Sequence, residues 1–112
     1  MPAVIGTDPF ELNSSNSPAA EPLLVRRTVM VKNANGLHLL PCSIIARTVK
    51  EFAGSVKLTR GSNAANAKSI MDVIQLGAVV GTELVLEVEG VGAEALMAQL
   101  EQLFADEFMT DR

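Results

Sequence analysis

The chain has 112 residues, of which 48% are hydrophobic and 20% charged, the size and composition of one globular domain. Nine Lys and Arg against 13 Asp and Glu leave a net charge of −4, without a basic stripe, which excludes a nucleic-acid footprint and an anionic-membrane surface. One cysteine permits no internal disulfide, so packing must supply the stability, and a reducing cytoplasm is the expected compartment. No apolar run approaches the roughly 20 residues that would span a bilayer, and MPAVIGTDPFELN lacks the basic and apolar regions of a signal peptide.

Residues 1–22 contain ELNSSNSPAAEP, which has neither helical nor strand periodicity and is expected to be a flexible extension. The domain is expected over residues 23–112. Its first element is a strand in which Val25, Val29 and Val31 share one parity and Arg26, Thr28 and Lys32 the other, with Arg27 intruding on the apolar side. Asn33 to Gly36 breaks it. From Leu39 to Phe52 the spacing of Pro41, Ile45, Val49 and Phe52 predicts a helix, with Pro41 tolerated in the first turn because the N–H it lacks would have had no partner there. Gly54 is expected to close that helix.

Val56 and Leu58 alternate with polar neighbours as a short strand, Gly61-Ser62 turns, and Asn63 to Ala67 returns as a second strand. Ser69 to Leu76 reads as a short helix stopped by Gly77. After a turn at Gly81, Glu83 to Glu89 alternates, with Leu84, Leu86 and Val88 on one face. Leu96, Leu100, Leu103, Phe104 and Phe108 then form the apolar stripe of a helix from Ala93 to Phe108. The order β-α-β-β-α-β-α, with one apolar face per strand, predicts an α+β fold in which helices cover one face of an antiparallel sheet.

The only histidine and the only cysteine fall together in NGLHLLPC, residues 35–42. His38 stands before a predicted helix start, where unpaired N–H groups and the positive end of the helix dipole favour an anion. Imidazole is neutral in a good fraction of molecules near neutral pH and is then a nucleophile toward phosphorus. A loop histidine that merely hydrogen-bonds a carbonyl is the plainer alternative. His38 and Cys42 also make a His-x-x-x-Cys pair, but structural zinc takes four ligands and the chain has no other Cys or His, so no metal is expected. As a nucleophile, Cys42 would need an activating base; as a small apolar residue it needs nothing.

NGLHLLPC, followed by AKSIMDVIQLG and then GTELVLEVEG, resembles the HPr phosphocarrier family of the bacterial sugar phosphotransferase system, without an evident gap from Val25 to Phe108. The resemblance implies an open-faced β-sandwich of four antiparallel strands covered by three helices. It implies that His38 accepts a phosphoryl group from Enzyme I and passes it to Enzyme II-type acceptors, with the backbone N–H groups of Leu39 and Leu40 holding the phosphate. It implies Ser69 as the position that a serine kinase phosphorylates in many Gram-positive members. Leu39, Leu40, Ile70, Met71 and Ile74 fall where the family docks its partners. The family is mostly monomeric, and no cofactor is expected.

Two features modify those expectations. The family usually carries Arg where this chain has Leu40, and losing one charge-assisted hydrogen bond costs ~1.5–3 kcal/mol, or roughly ten- to a hundred-fold in transfer rate if all of it falls on the transition state. Arg47 lies ~13 Å along the helix from His38, which leaves Lys68 and Arg27 as cations that folding can bring in. The second feature is Ser69-Ile70-Met71-Asp72, which is S-x-x-D, a capping-box-like helix start, so that a cap and a regulatory site coincide. An interaction module that keeps the docking surface but has lost phosphotransfer is the alternative function that Leu40 suggests.

Overall fold

A computed structural model of the chain describes residues 24–109, so the expected extension at residues 1–22 lies outside the described residues. The elements are β1 (Leu24–Met30), α1 (Leu39–Val49), β2 (Ser55–Arg60), β3 (Asn63–Asn66), α2 (Ile70–Gln75), β4 (Glu83–Glu89) and α3 (Ala93–Ala105). The strands form one antiparallel sheet in the order β1-β4-β2-β3, with all three helices on one side. This is the α+β arrangement that the sequence pattern predicts and the open-faced sandwich that the resemblance implies.

Period-two alternation decides which face is covered. Leu84, Leu86 and Val88 of the central strand β4 are buried, together with Val25, Val56, Leu58 and Ala65 from its neighbours. Against them pack Ile44, Ile45 and Val49 of α1, Val73 of α2, and Leu96, Met97, Leu100 and Phe104 of α3. Each fully buried aliphatic side chain contributes about 1.5–3 kcal/mol of transfer free energy. Arg27, the residue that broke the apolar parity of β1, stays exposed at the rim of the covered face, where it donates to Arg26 O and approaches Glu94 of α3 at 3.5 Å. The opposite face is wet. There the register aligns Arg26, Glu87 and Lys57 across three strands, and both Nε and Nη2 of Arg26 donate to Glu87 Oε2 at 2.8 and 2.6 Å while Lys57 Nζ lies 3.2 Å from Oε1. Hydrogen bonds from Arg26 and then Lys57 hold the Glu87 carboxyl below its ordinary value.

Two helices end earlier than the apolar spacing predicts. α1 stops at Val49 rather than Phe52, and the Phe52 N–H closes onto Val49 O at 3.0 Å. Phe52 is still half-buried because its ring covers two glycines: a Cβ on Gly54 would sit 2.8 Å from Phe52 Cε2, and one on Gly90 3.1 Å from Phe52 Cζ. Gly54 therefore does not act as a helix terminator. It is required because β4 passes so close that its Cβ would lie 1.9 Å from Glu89 O.

α3 stops at Ala105 rather than Phe108. The Glu107 N–H bonds Phe104 O at 3.1 Å and the Phe108 N–H bonds Leu103 O at 2.8 Å, the paired 5→2 and 6→1 bonds of a Schellman motif. This fold-back swings Phe108 onto the core, where its ring meets Phe104 edge-on with centroids 4.8 Å apart. Glu107 occupies the left-handed position that glycine usually takes, with φ of 57°. Glu107→Gly should therefore raise the unfolding free energy by about 0.5–1 kcal/mol, relief of left-handed strain outweighing the added chain entropy. Denaturant melts would show a higher midpoint at unchanged slope; a lower midpoint would contradict this account of the α3 end.

Candidate functional site

β1 delivers the chain to the site and a tight loop turns it. The Gly36 N–H donates to Asn33 O at 3.0 Å, while Gly36 O accepts both the His38 N–H at 3.0 Å and Asn33 Nδ2 at 2.5 Å. Gly36 has φ of +67°, and a Cβ there would lie 2.6 Å from Ala78 O, so the loop needs glycine for its conformation and for the close approach of residues 78–79. Next to it, the Leu37 N–H donates to Ala78 O at 2.9 Å and the Leu37 side chain is buried. Residue 38 is thereby fixed at the mouth of α1.

His38 is the N-cap of α1, in extended backbone conformation, and its side chain makes no capping bond. It is exposed, with Gly36 and Leu37 buried just before it. His38 O accepts the Cys42 N–H at 3.1 Å, which begins the helix ladder, and Pro41 has no N–H to offer. The N–H groups of Leu39 and Leu40 are then the helix-start donors left over, and among the described residues neither has a hydrogen-bond partner. An exposed imidazole beside two uncommitted amide donors at the positive end of an 11-residue helix is an arrangement that can accept an anion and hold it.

Neither of the two cations that the sequence left open reaches this place. Lys68 Nζ donates to Phe52 O at 2.6 Å, beyond the far end of α1, and Arg27 is engaged beside α3. Arg47 is in the last turn of α1. Leu40, where the family carries Arg, is exposed, as is Leu39. The remaining docking candidates divide: Met71 is exposed, whereas Ile70 and Ile74 are half-buried and pack against the core. α1 and α2 pack against each other.

Ser69 is the N-cap of α2, and its Oγ accepts the Asp72 N–H at 3.2 Å. The reciprocal half of a capping box is not made, because the Ser69 N–H already donates to Asn66 O at 2.9 Å. At the other end of α2, Gly77 adopts φ of +62° and Arg60 Nη1 donates to Leu76 O at 2.7 Å. Sequence reasoning had no signal for that cap, since the two residues come from separate elements.

Cys42 is fully buried, four residues from His38 in sequence but facing the interior, and its thiol donates weakly to Leu37 O at 3.4 Å. Burial pushes the thiol up to about 11. It is a packing residue that ties the first turn of α1 to the loop before His38. In the native state near neutral pH, Cys42 should react with an aromatic disulfide reagent at least a hundred-fold more slowly than a free thiol and fully in denaturant, followed by absorbance; fast native labelling would contradict its burial. Gly36→Ala should destabilise the fold by about 2 kcal/mol or more, through left-handed strain and the clash with Ala78 O; an unchanged denaturation midpoint would show the loop to be softer than described.

Comparison with known proteins identifies the family of the chain. The family model described as PTS-HPr, PTS HPr component phosphorylation site, matches residues 25–106. The phosphocarrier protein HPr of Treponema pallidum is 38% identical over 85 residues, covering 76% of this chain and 97% of its own. A multiphosphoryl transfer protein of Haemophilus influenzae is 38% identical over 63 residues, 54% of this chain and 13% of that much longer one. The crystal structure of HPr-C-His from Thermoanaerobacter tengcongensis superposes with a TM-score of 0.73 at 28% identity, over 79% of this chain and 99% of that one. The chain belongs to the PTS-HPr family, the phosphocarriers of the phosphotransferase system.

Proposed function

We propose that His38 is the residue through which this phosphocarrier works: one of its ring nitrogens accepts a phosphoryl group from phosphorylated Enzyme I and yields it to an Enzyme II-type acceptor. The observation that carries this reading is the exposed imidazole at the N-cap of α1, uncommitted to any cap bond, next to the Leu39 and Leu40 amides, which have no partner among the described residues. The nitrogen lone pair forms the N–P bond as the bond from phosphorus to the donor breaks, and the donor atom leaves with that electron pair. The two amides offset charge on the phosphoryl oxygens without a metal, as preorganised donors do wherever charge builds up in a transition state. In the next transfer the same bond breaks in favour of the acceptor, so the chain is a stoichiometric carrier. This reading has it act as a cytoplasmic monomer with no cofactor.

Leu40 sets the strength of the site. With two amides and no guanidinium, the phosphoryl oxygens are held by backbone donors alone, without the bidentate contact and the positive charge that an arginine would add. The half-lost module suggested by Leu40 is the less supported reading, because the relatives are phosphocarriers. Ser69 is proposed as a second, regulatory phosphorylation site for a serine kinase. Its Oγ would give up the cap on Asp72 N–H when modified, and the neighbouring Asp72 carboxylate would oppose the added charge.

With Enzyme I, phosphoenolpyruvate and magnesium, the chain should gain an acid-labile phosphoryl mass that His38→Ala abolishes. Leu40→Arg should speed the transfer by about ten-fold or more. A chain that stays unlabelled while another HPr is labelled alongside it would overturn the proposal, and rescue of labelling by Leu40→Arg alone would favour the half-lost module.

A further inference from the structure

Leu37 hangs from the stretch 76–82 through its bond to Ala78 O, and that stretch is fastened at both ends. At its far end the Gly81 N–H donates to Val31 O at 2.7 Å and the Val31 N–H to Thr82 O at 2.9 Å. Val31 belongs to the same connection between β1 and α1 as Leu37 and His38, so these bonds tie the stretch to the loop it has to hold. The near end is fastened to a separate element. Arg60, the last residue of β2, donates from Nη1 to Leu76 O at 2.7 Å across the C-terminal end of α2.

That bond reaches beyond the helix it caps. Leu76 O is among the last carbonyls of α2, for which the helix itself offers no N–H. Gly77 follows with φ of +62°, and Arg60 Nη1 stands 3.8 Å from where a Cβ on it would be, so the guanidinium lies along the turn. Ala78 comes next, buried like Leu76, and its carbonyl receives the Leu37 N–H. Among the described residues the guanidinium makes no other hydrogen bond and no ion pair, so its charge is committed to this one carbonyl. A hydrogen bond from an ionised donor is stronger than one between neutral groups.

We propose that Arg60 is a positioning residue for His38. From β2 it fixes the end of α2 and the turn at Gly77 and Ala78. Through Ala78 O and the Leu37 N–H it then sets the place from which the imidazole and the Leu39 and Leu40 amides meet a phosphoryl group. The inference rests on the reading of His38 as the phosphoryl acceptor. Leu40 gives it weight: a long arginine side chain at that position could adjust to a displaced phosphoryl group, whereas backbone amides act only from where the fold has put them.

Two substitutions in the full chain test this: Arg60→Met removes the donors and keeps an unbranched stem, and Arg60→Lys restores one charged donor. In unphosphorylated protein, hydrogen exchange at the Leu37 amide should be about five-fold or more faster in Arg60→Met, while the Leu86 amide in the central strand stays within about two-fold. With phosphoenolpyruvate, magnesium and saturating Enzyme I, Arg60→Met should be labelled on His38 about three-fold or more slowly, the half-saturating Enzyme I concentration staying within about two-fold. Arg60→Lys should recover most of both effects. Equal acceleration at Leu37 and Leu86 would reduce Arg60 to a general stabiliser, and unchanged exchange at Leu37 would cut the link from β2 to the loop. A loss confined to the half-saturating concentration would make Arg60 a docking residue, and a lysine variant no better than Arg60→Met would deny the bond its role; each of these overturns the proposal. An unsubstituted chain that is never labelled would sink the carrier reading, while the exchange measurement, which needs no phosphotransfer, still decides whether Arg60 holds Leu37 in place.

Discussion

The hydrogen bond from the Leu37 N–H to Ala78 O holds the functional end of the molecule together. It joins the loop that follows β1 to the loop that follows α2, two segments far apart in sequence, and it forms only because Gly36 takes a left-handed conformation and lacks a Cβ that would strike the same carbonyl. With that contact made, residue 38 must start α1, Leu37 must point inward, and His38 must point outward. The chemistry of the site follows from the handedness of one glycine.

Around this contact the fold separates stability from function. The covered face of the sheet is a continuous apolar layer, with Leu84, Leu86 and Val88 at its centre, while the wet face is braced by the Arg26–Glu87–Lys57 alignment. His38 stands apart as the exposed N-cap of α1. Cys42 connects the two regions: it is packed in the core, and its thiol leans on the carbonyl immediately before the histidine. Stability is therefore delivered to the site through backbone bonds and the buried side chains of Leu37 and Cys42, while among the described residues the imidazole makes no capping bond and the amides of Leu39 and Leu40 have no partner. On the proposed reading, the exposed leucine at position 40 leaves the backbone to hold phosphate.

Much of this was legible in the chain itself. Alternation in Glu83 to Glu89 gave β4 and its buried parity, Ser69 announced its cap, and the glycine and histidine of NGLH marked the helix start. What was not legible came from contacts between distant residues. Spacing carried α1 on to Phe52 because Phe52 has the right phase, yet its ring covers Gly54 and Gly90, a reason that only tertiary structure provides. The same holds for Phe108, which has the phase of α3 but reaches the core by a fold-back at Glu107. Met97 is buried beside the predicted stripe because α3 presents a broader face than one row of leucines. Lys68 and Arg27 were open options until folding committed them elsewhere.

The central claim is that the Leu39 and Leu40 amides, waiting at the start of α1, are the groups that receive the phosphoryl oxygens once His38 carries them. Amide proton shifts recorded before and after phosphorylation measure this most directly. The account predicts that these two amides show the largest downfield movements in the chain, as charge-assisted hydrogen bonds form to them. A phosphorylated His38 with both amides unmoved would contradict it.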